Sequence, residues 1–155
     1  MRPSVRGVLL DDDERLLIFR RTVPGRDVYW SVPGGHVEPG DATLEHTLRR
    51  ELLEELGATV SSVTPLTTVS YPWEGGTKLQ HLYGCRLLAL DPALRHGPEV
   101  DDPSNGVYEV ERVALERSEI TSRHLVPEAV AAYLATHIAA LPRLIAGPRS
   151  PTGDR

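Results

Sequence analysis

Three glutamates, Glu51, Glu54 and Glu55, crowd the segment RRELLEELGA, residues 49–58. A helix turns about 100° per residue, so Glu54 falls roughly 60° to one side of Glu51 and Glu55 roughly 40° to the other. All three carboxylates share one stripe, and Leu52, Leu53 and Leu56 lie on a neighbouring arc that can face a core. Like charges at this spacing repel. Either a solvated face tolerates them, with pairs such as Arg50 and Glu54, or a cation sits among them. Hard carboxylate oxygens suit Mg²⁺ or Mn²⁺, and Mg²⁺ is typically held by a few carboxylates together with substrate phosphates.

Just upstream, PGGHVEPGD, residues 33–41, places two glycines before another carboxylate, Glu38. Glycine permits positive φ and close backbone approach. Such a loop can turn a carbonyl toward a metal and amides toward a phosphate. For PGG alone, an ordinary Pro-Gly turn is the simpler reading.

These groups need elements to hold them. SVRGVLL (4–10) and RLLIFRR (15–21), joined by DDDE, predict a β-hairpin. VYWSV (28–32) predicts a short strand after a Pro-Gly loop. Leu44, Leu48, Leu52 and Leu56 recur every four residues and predict a helix over 42–56. Thr43 suits its N-cap and Gly57 its end, and Glu45 complements the dipole in the first turn. Strands follow at 59–71, 77–90 and 107–114, with a long loop over 91–106. Residues 126–141 predict an alanine-rich helix with Pro127 near its start. Strands mixed with two substantial helices predict a layered α/β domain over 1–141, and 142–155 read as a disordered tail.

Composition narrows the function. The 155 residues suit one domain with a real core. A formal charge of −5 argues against nucleic-acid backbone as a partner, because no basic excess exists to release counterions. One cysteine, Cys85, excludes an internal disulfide and a multi-cysteine zinc site, and makes a reducing, cytoplasmic setting the default. The apolar run near the N-terminus is too short for a signal peptide, and no run is long enough for a membrane span.

Residues 34–58, GGHVEPGDATLEHTLRRELLEELGA, resemble the signature of the Nudix hydrolases. Gly35 fits the first glycine of that signature. Arg50, Glu51, Leu52, Glu54, Glu55, Gly57 and Ala58 fit its second half. Two departures stand out. Asp41 occupies the place of the first glutamate, and one extra residue separates it from Arg50, placed in the loop before Thr43.

The resemblance implies an α/β/α sandwich around a mixed β-sheet, and hydrolysis of a nucleoside diphosphate linked to another group. It implies that Glu51, Glu54 and Glu55 hold Mg²⁺ or Mn²⁺ with the carbonyl of Gly34, while Arg50 orients the glutamates. The general base is a box glutamate or a later acid, from among Glu99, Asp101, Asp102, Glu116 and Glu119; each of these also reads as a surface acid. Arg20 is the expected phosphate cation. Arg21 is the weaker choice, since alternation turns only one of them to the site. His36 in the glycine loop is the second candidate substrate contact, and reads equally as a solvent-exposed loop histidine. Tyr29 could stack on a base, whereas Trp30 reads as core. Tyr71, Pro72 and Trp73 loosely match a proline position of ADP-ribose-cleaving relatives. ADP-ribose, nucleotide sugars, nucleoside triphosphates and dinucleoside polyphosphates all fit, and the resemblance also admits a homodimer. Two other functions fit the same fold. One is a non-catalytic nucleotide sensor. The other is a prenyl diphosphate isomerase, which would need a cysteine at the site.

Overall fold

Two strands are buried on both faces, which requires a layer on each side of the sheet. In β1 (Ser4–Leu10), Val8 and Leu10 enter one core while Val5 and Leu9 enter the other. In β2 (Leu16–Thr22), Leu16 and Ile18 part from Leu17 and Phe19 in the same way. One layer is α1 (Leu44–Leu56), which contributes Leu48, Leu52 and Leu56. The other is α2 (Arg117–Thr121), α3 (Glu128–His137) and α4 (Leu141–Leu144), which contribute Ile120, Val130, Leu134 and Leu141. The expected sandwich is therefore present. The computed structural model describes residues 3–97 and 102–145. No helix among the described residues is long and apolar enough to cross a membrane.

The remaining strands are β3 (Tyr29–Ser31), β4 (Gly34–His36), β5 (Ala58–Trp73), β6 (Gly76–Leu90) and β7 (Val107–Val113). They form a seven-stranded sheet in the order β3-β2-β1-β6-β5, with β4 on β1 and β7 on β2. β1 runs parallel to β6 and every other pairing is antiparallel, so the sheet is mixed. One irregularity shapes the site. β1 and β2 pair only where Leu9 meets Leu17 and Leu10 meets Leu16. Beyond that point β1 takes β4 as its neighbour (Val5 opposite Gly35) and β2 takes β3 (Arg21 opposite Tyr29). The sheet splits there, and the split opens a cleft.

α1 begins and ends where its capping residues dictate. The Thr43 hydroxyl accepts from the His46 N–H at 3.0 Å, and Gly57 closes the helix at φ 71°. Four features depart from expectation. His36 and the two glycines before it pair with β1 as a strand instead of forming pure loop. α2 follows β7 without a periodic signal. The expected helix over 126–141 is interrupted. Pro127 stands at the N-cap of α3, and a 3-10 turn over Ile138–Ala140 separates α3 from α4. The expected tail starts too early, because Ile145 is fully buried in the core of the α2–α4 layer. A Cβ at Gly84 would overlap the Ile145 side chain, so this small position on β6 makes room for it. Residues 146–155 lie outside the described residues.

Candidate active site

α1 buries two of its three stripe glutamates. Glu51 and Glu55 are each 3% exposed. Charged residues are almost never buried so fully without partners. Glu55 Oε1 accepts from the Gly34 N–H at 2.9 Å. Glu51 Oε2 lies 3.4 Å from Arg50 Nη1, and the same nitrogen stands 3.3 Å from Glu54 Oε2. The glycine pair has a steric purpose. A Cβ at Gly35 would overlap the Glu51 carboxylate, so only glycine lets β4 lie against it.

Arg50 is itself held from the opposite side. Its Nε donates to Asp41 Oδ1 at 3.0 Å and its Nη2 to Asp41 Oδ2 at 2.8 Å, a two-bond fork. Asp41 Oδ2 also accepts from Thr47 Oγ1 and from the Glu38 N–H, both at 2.9 Å. Arg50 first, then the Glu38 amide, holds the Asp41 carboxyl well below the usual carboxylate range, and Asp41 in turn raises the Arg50 pKa. Arg50 Nη2 reaches the His36 carbonyl as well, at 3.2 Å. One guanidinium thus ties the 33–41 loop to the glutamate stripe. The pairing of Arg50 with Glu54 read from the sequence is present, and it coexists with the buried carboxylates. Among the described residues, no three His, Cys, Asp or Glu side chains are already grouped at metal-ligand spacing. In this conformation Arg50 supplies the positive charge beside Glu51 and Glu54.

The cleft at the split of the sheet has a volume of about 590 Å³ and reaches Glu55, Gly34, Gly35 and His36. Its β1–β6–β5 wall carries Arg6, Tyr71, Trp73, Lys78 and Gln80, and its β2–β3–β7 wall carries Arg21, Tyr29 and Tyr108, with Arg26 from the preceding loop. Arg20, the expected phosphate cation, is not in the cleft. It shares the face of Leu16 and Ile18 and pairs with Glu109 at 3.0 Å on the surface. Arg21, on the other face, lines the cleft. It stacks 3.5 Å from the Tyr108 ring centroid and donates to the Asn105 carbonyl. Trp30 packs against the α2–α4 core and donates to Glu111 at 2.9 Å, as a structural residue would.

The NUDIX domain model matches residues 1–129. The chain belongs to the Nudix family. An 8-oxo-dGTP diphosphatase from Proteus vulgaris is 36% identical over 66 residues, which cover 42% of this chain and 58% of that protein, less than two thirds of its length. A NUDIX hydrolase from Nitrosomonas europaea superposes with a TM-score of 0.68 at 20% identity, over 90% of each chain. The NUDIX domain of Shewanella oneidensis NrtR, solved with ADP ribose, gives 0.66 at 18% identity, over 90% of this chain and 88% of that one. At these identities the structural likeness is one of fold.

Within this Nudix chain, the later acids among the described residues lie outside the cleft. Asp102 binds the N–H and hydroxyl of Ser104 in its own turn. Glu119 pairs with Arg123 at 2.8 Å, and Glu116 sits at the start of α2. Glu99 and Asp101 lie outside the described residues. Cys85 is fully buried in the α1-side core, and burial pushes its thiol up to about 12. It offers the cleft no nucleophile or acid. Arg6, Arg26, Lys78, Gln80 and Tyr108 line the cleft without having been singled out from the sequence. Arg6 gave the one usable signal, an arginine inside an otherwise buried strand.

Proposed function

We propose that this chain hydrolyses a pyrophosphate linkage in a nucleotide or nucleoside diphosphate derivative, with Mg²⁺ or Mn²⁺ as its metal. The observation that carries this is the burial of Glu51 and Glu55 beside a cleft into which Arg6, Arg21, Arg26 and Lys78 converge. Buried carboxylates beside convergent cations suit a polyanion that arrives with divalent metal. The partial likeness to an 8-oxo-dGTP diphosphatase supports a nucleotide as substrate.

The residues present fit such an ion. The donors are all hard oxygens, from Glu51, Glu54, Glu55 and the Gly34 carbonyl, and the missing Cβ of Gly35 lets the Glu51 carboxylate lie against β4. When bound, a divalent ion offsets phosphate charge and makes a nearby water more acidic. The chain's own groups do the rest. The four cleft cations seat and orient the phosphates. Arg50, fixed by Asp41, keeps the stripe carboxylates in place. Water oxygen then bonds to one phosphorus, the bridging oxygen leaves with the other phosphate, and the water proton passes to a carboxylate. Glu55 is the stripe glutamate that lines the cleft, which makes it the nearest proton acceptor.

The test is phosphate or pyrophosphate release from a panel of nucleotides with Mg²⁺, for the wild type and Glu55→Gln. The proposal expects turnover that a chelator abolishes and that falls at least about 100-fold in the variant. Equal turnover in the variant rejects the assigned chemistry, and nucleotide binding without turnover favours a sensor.

A further inference from the structure

The segment that follows β6 is tied to the end of the glutamate helix. The last carbonyls of a helix have no partner within it and need one from outside. The Gly57 N–H serves Leu52 and Leu53. The next two carbonyls, those of Glu54 and Glu55, are taken by adjacent residues of the later segment. The His96 N–H donates to the Glu54 carbonyl at 2.8 Å, and Arg95 Nε donates to the Glu55 carbonyl at 2.6 Å. The Asp91 N–H adds a bond to the Gly57 carbonyl at 2.9 Å. A Cβ at Gly57 would overlap the Asp91 carbonyl, so the segment lies directly on the helix end. The Arg95 cation also complements the negative pole of the helix.

Arg95 has a second arm. Its Nη2 donates to the Tyr108 carbonyl on β7 at 3.2 Å. Tyr108 stands opposite Arg21 in the β2–β7 ladder, and the Arg21 guanidinium rests 3.5 Å from its ring centroid. On the helix side, the Glu55 carboxylate accepts from the N–H of Gly34, which pairs with Arg6 of β1. Glu55 thus belongs to one side of the split in the sheet and Tyr108 to the other. One guanidinium joins the main chain of the glutamate that lines the cleft to the main chain of the tyrosine that seats a cleft cation. Arg95 itself does not line the cleft.

From this juxtaposition we infer that Arg95 is a positioning residue, which sets the spacing between the Glu55 end of the stripe and Arg21. It acts through Glu55 and Tyr108 and touches no ligand. Its consequence for catalysis rests on the hydrolytic reading, in which Glu55 accepts the water proton and Arg21 seats phosphate. Reacting groups displaced by about 1 Å can lose about 100-fold in rate, even when the change lies far from the chemistry.

The experiment uses Arg95→Met, which keeps the aliphatic stem and removes both arms, and Arg95→Lys, which keeps the charge without the planar fork. Two nuclear magnetic resonance signals of the ligand-free protein read the two sides. Hydrogen exchange of the Gly34 amide reports its bond to Glu55, and the ring-current shift of the Arg21 Nε–H reports its seat on Tyr108. In both variants Gly34 exchange should rise about threefold or more, the effect of an ordinary hydrogen bond, while the Val8 and Leu9 amides of the same sheet keep their wild-type rates. The Arg21 signal should move toward that of a solvated arginine. A purely stabilising role would raise exchange at all three amides alike and leave the Arg21 signal in place. That result overturns the inference, as does either signal unchanged or wild-type behaviour of Arg95→Lys. With Mg²⁺ and the nucleotide panel, kcat should fall about tenfold or more in both variants. An unchanged kcat with both signals displaced overturns the positioning role. If the wild type turns over no nucleotide, the hydrolytic reading fails, and the two resonance signals still decide whether Arg95 spaces Glu55 from Arg21.

Discussion

Asp41 and Arg50 face each other through two parallel N–H···O bonds of 3.0 and 2.8 Å, although a residue is inserted between them relative to the family signature. The insertion is absorbed before Leu44, where α1 begins, so the helical register from Arg50 to Glu55 is undisturbed. The aspartate in the place of the first signature glutamate thus pairs with Arg50. Asp41→Asn removes the charge from this fork, and Arg50→Lys removes the fork itself. Residues that orient ligating groups typically cost about 10–100-fold when changed. Steady-state kinetics of both variants should show a loss of that order, with far-ultraviolet circular dichroism unchanged. Activity within about twofold of wild type would remove Arg50 from the positioning role.

The same pair sets an acid limit on stability. Arg50 holds the folded-state pKa of Asp41 below its ordinary value of about 3.9. A depressed carboxylate contributes stability that is complete above the unfolded value and is lost as pH falls through the folded one. The gap in urea midpoint between wild type and Asp41→Asn should therefore be steady from about pH 7 to about pH 5 and shrink below about pH 4. A gap that persists unchanged at about pH 2.5 contradicts the pairing.

How far the sequence foretold this molecule depends on how local each signal is. The ends of β1 and α1 were legible because a β-branched and aliphatic run stopped by DDDE, and the caps Thr43 and Gly57, act within a few residues. The glutamate stripe was legible in direction but not in depth. Glu51 and Glu55 are buried because β4 lies over them, while the Glu54 side chain remains 18% exposed beside Arg50. Alternation showed that only one of Arg20 and Arg21 could face the site. Which one depends on Glu109 and Tyr108 across β7, and that is a tertiary fact. Ile145 reads as part of a tail until Gly84, far away in sequence, is seen to leave space for it.

The two neighbouring arginines should separate cleanly. Arg20 forms an exposed ion pair with Glu109, a type worth about 0–1 kcal/mol. Arg20→Ala should leave kcat/KM within about twofold. Arg21→Ala removes a cleft cation and should lower kcat/KM by about tenfold or more, since hydrogen bonds to charged groups are worth about 1.5–3 kcal/mol. Kinetics in the reverse order would restore Arg20 to the site.

The C-terminal turn should matter to stability and not to chemistry. Ile145 is fully buried and packs at Gly84. Buried Ile→Ala changes typically cost about 2–5 kcal/mol. Chemical denaturation of Ile145→Ala should show a loss in that range, with KM unchanged below the unfolding transition. A loss under about 0.5 kcal/mol would place Ile145 outside the core.

Under the proposed function, the stripe carboxylates hold a divalent ion. Electron paramagnetic resonance of free Mn²⁺, titrated with wild type and with the Glu51→Gln/Glu55→Gln double variant, measures this without a substrate. The wild type should take up Mn²⁺ saturably, and the folded double variant should not. The same uptake by both proteins would contradict it.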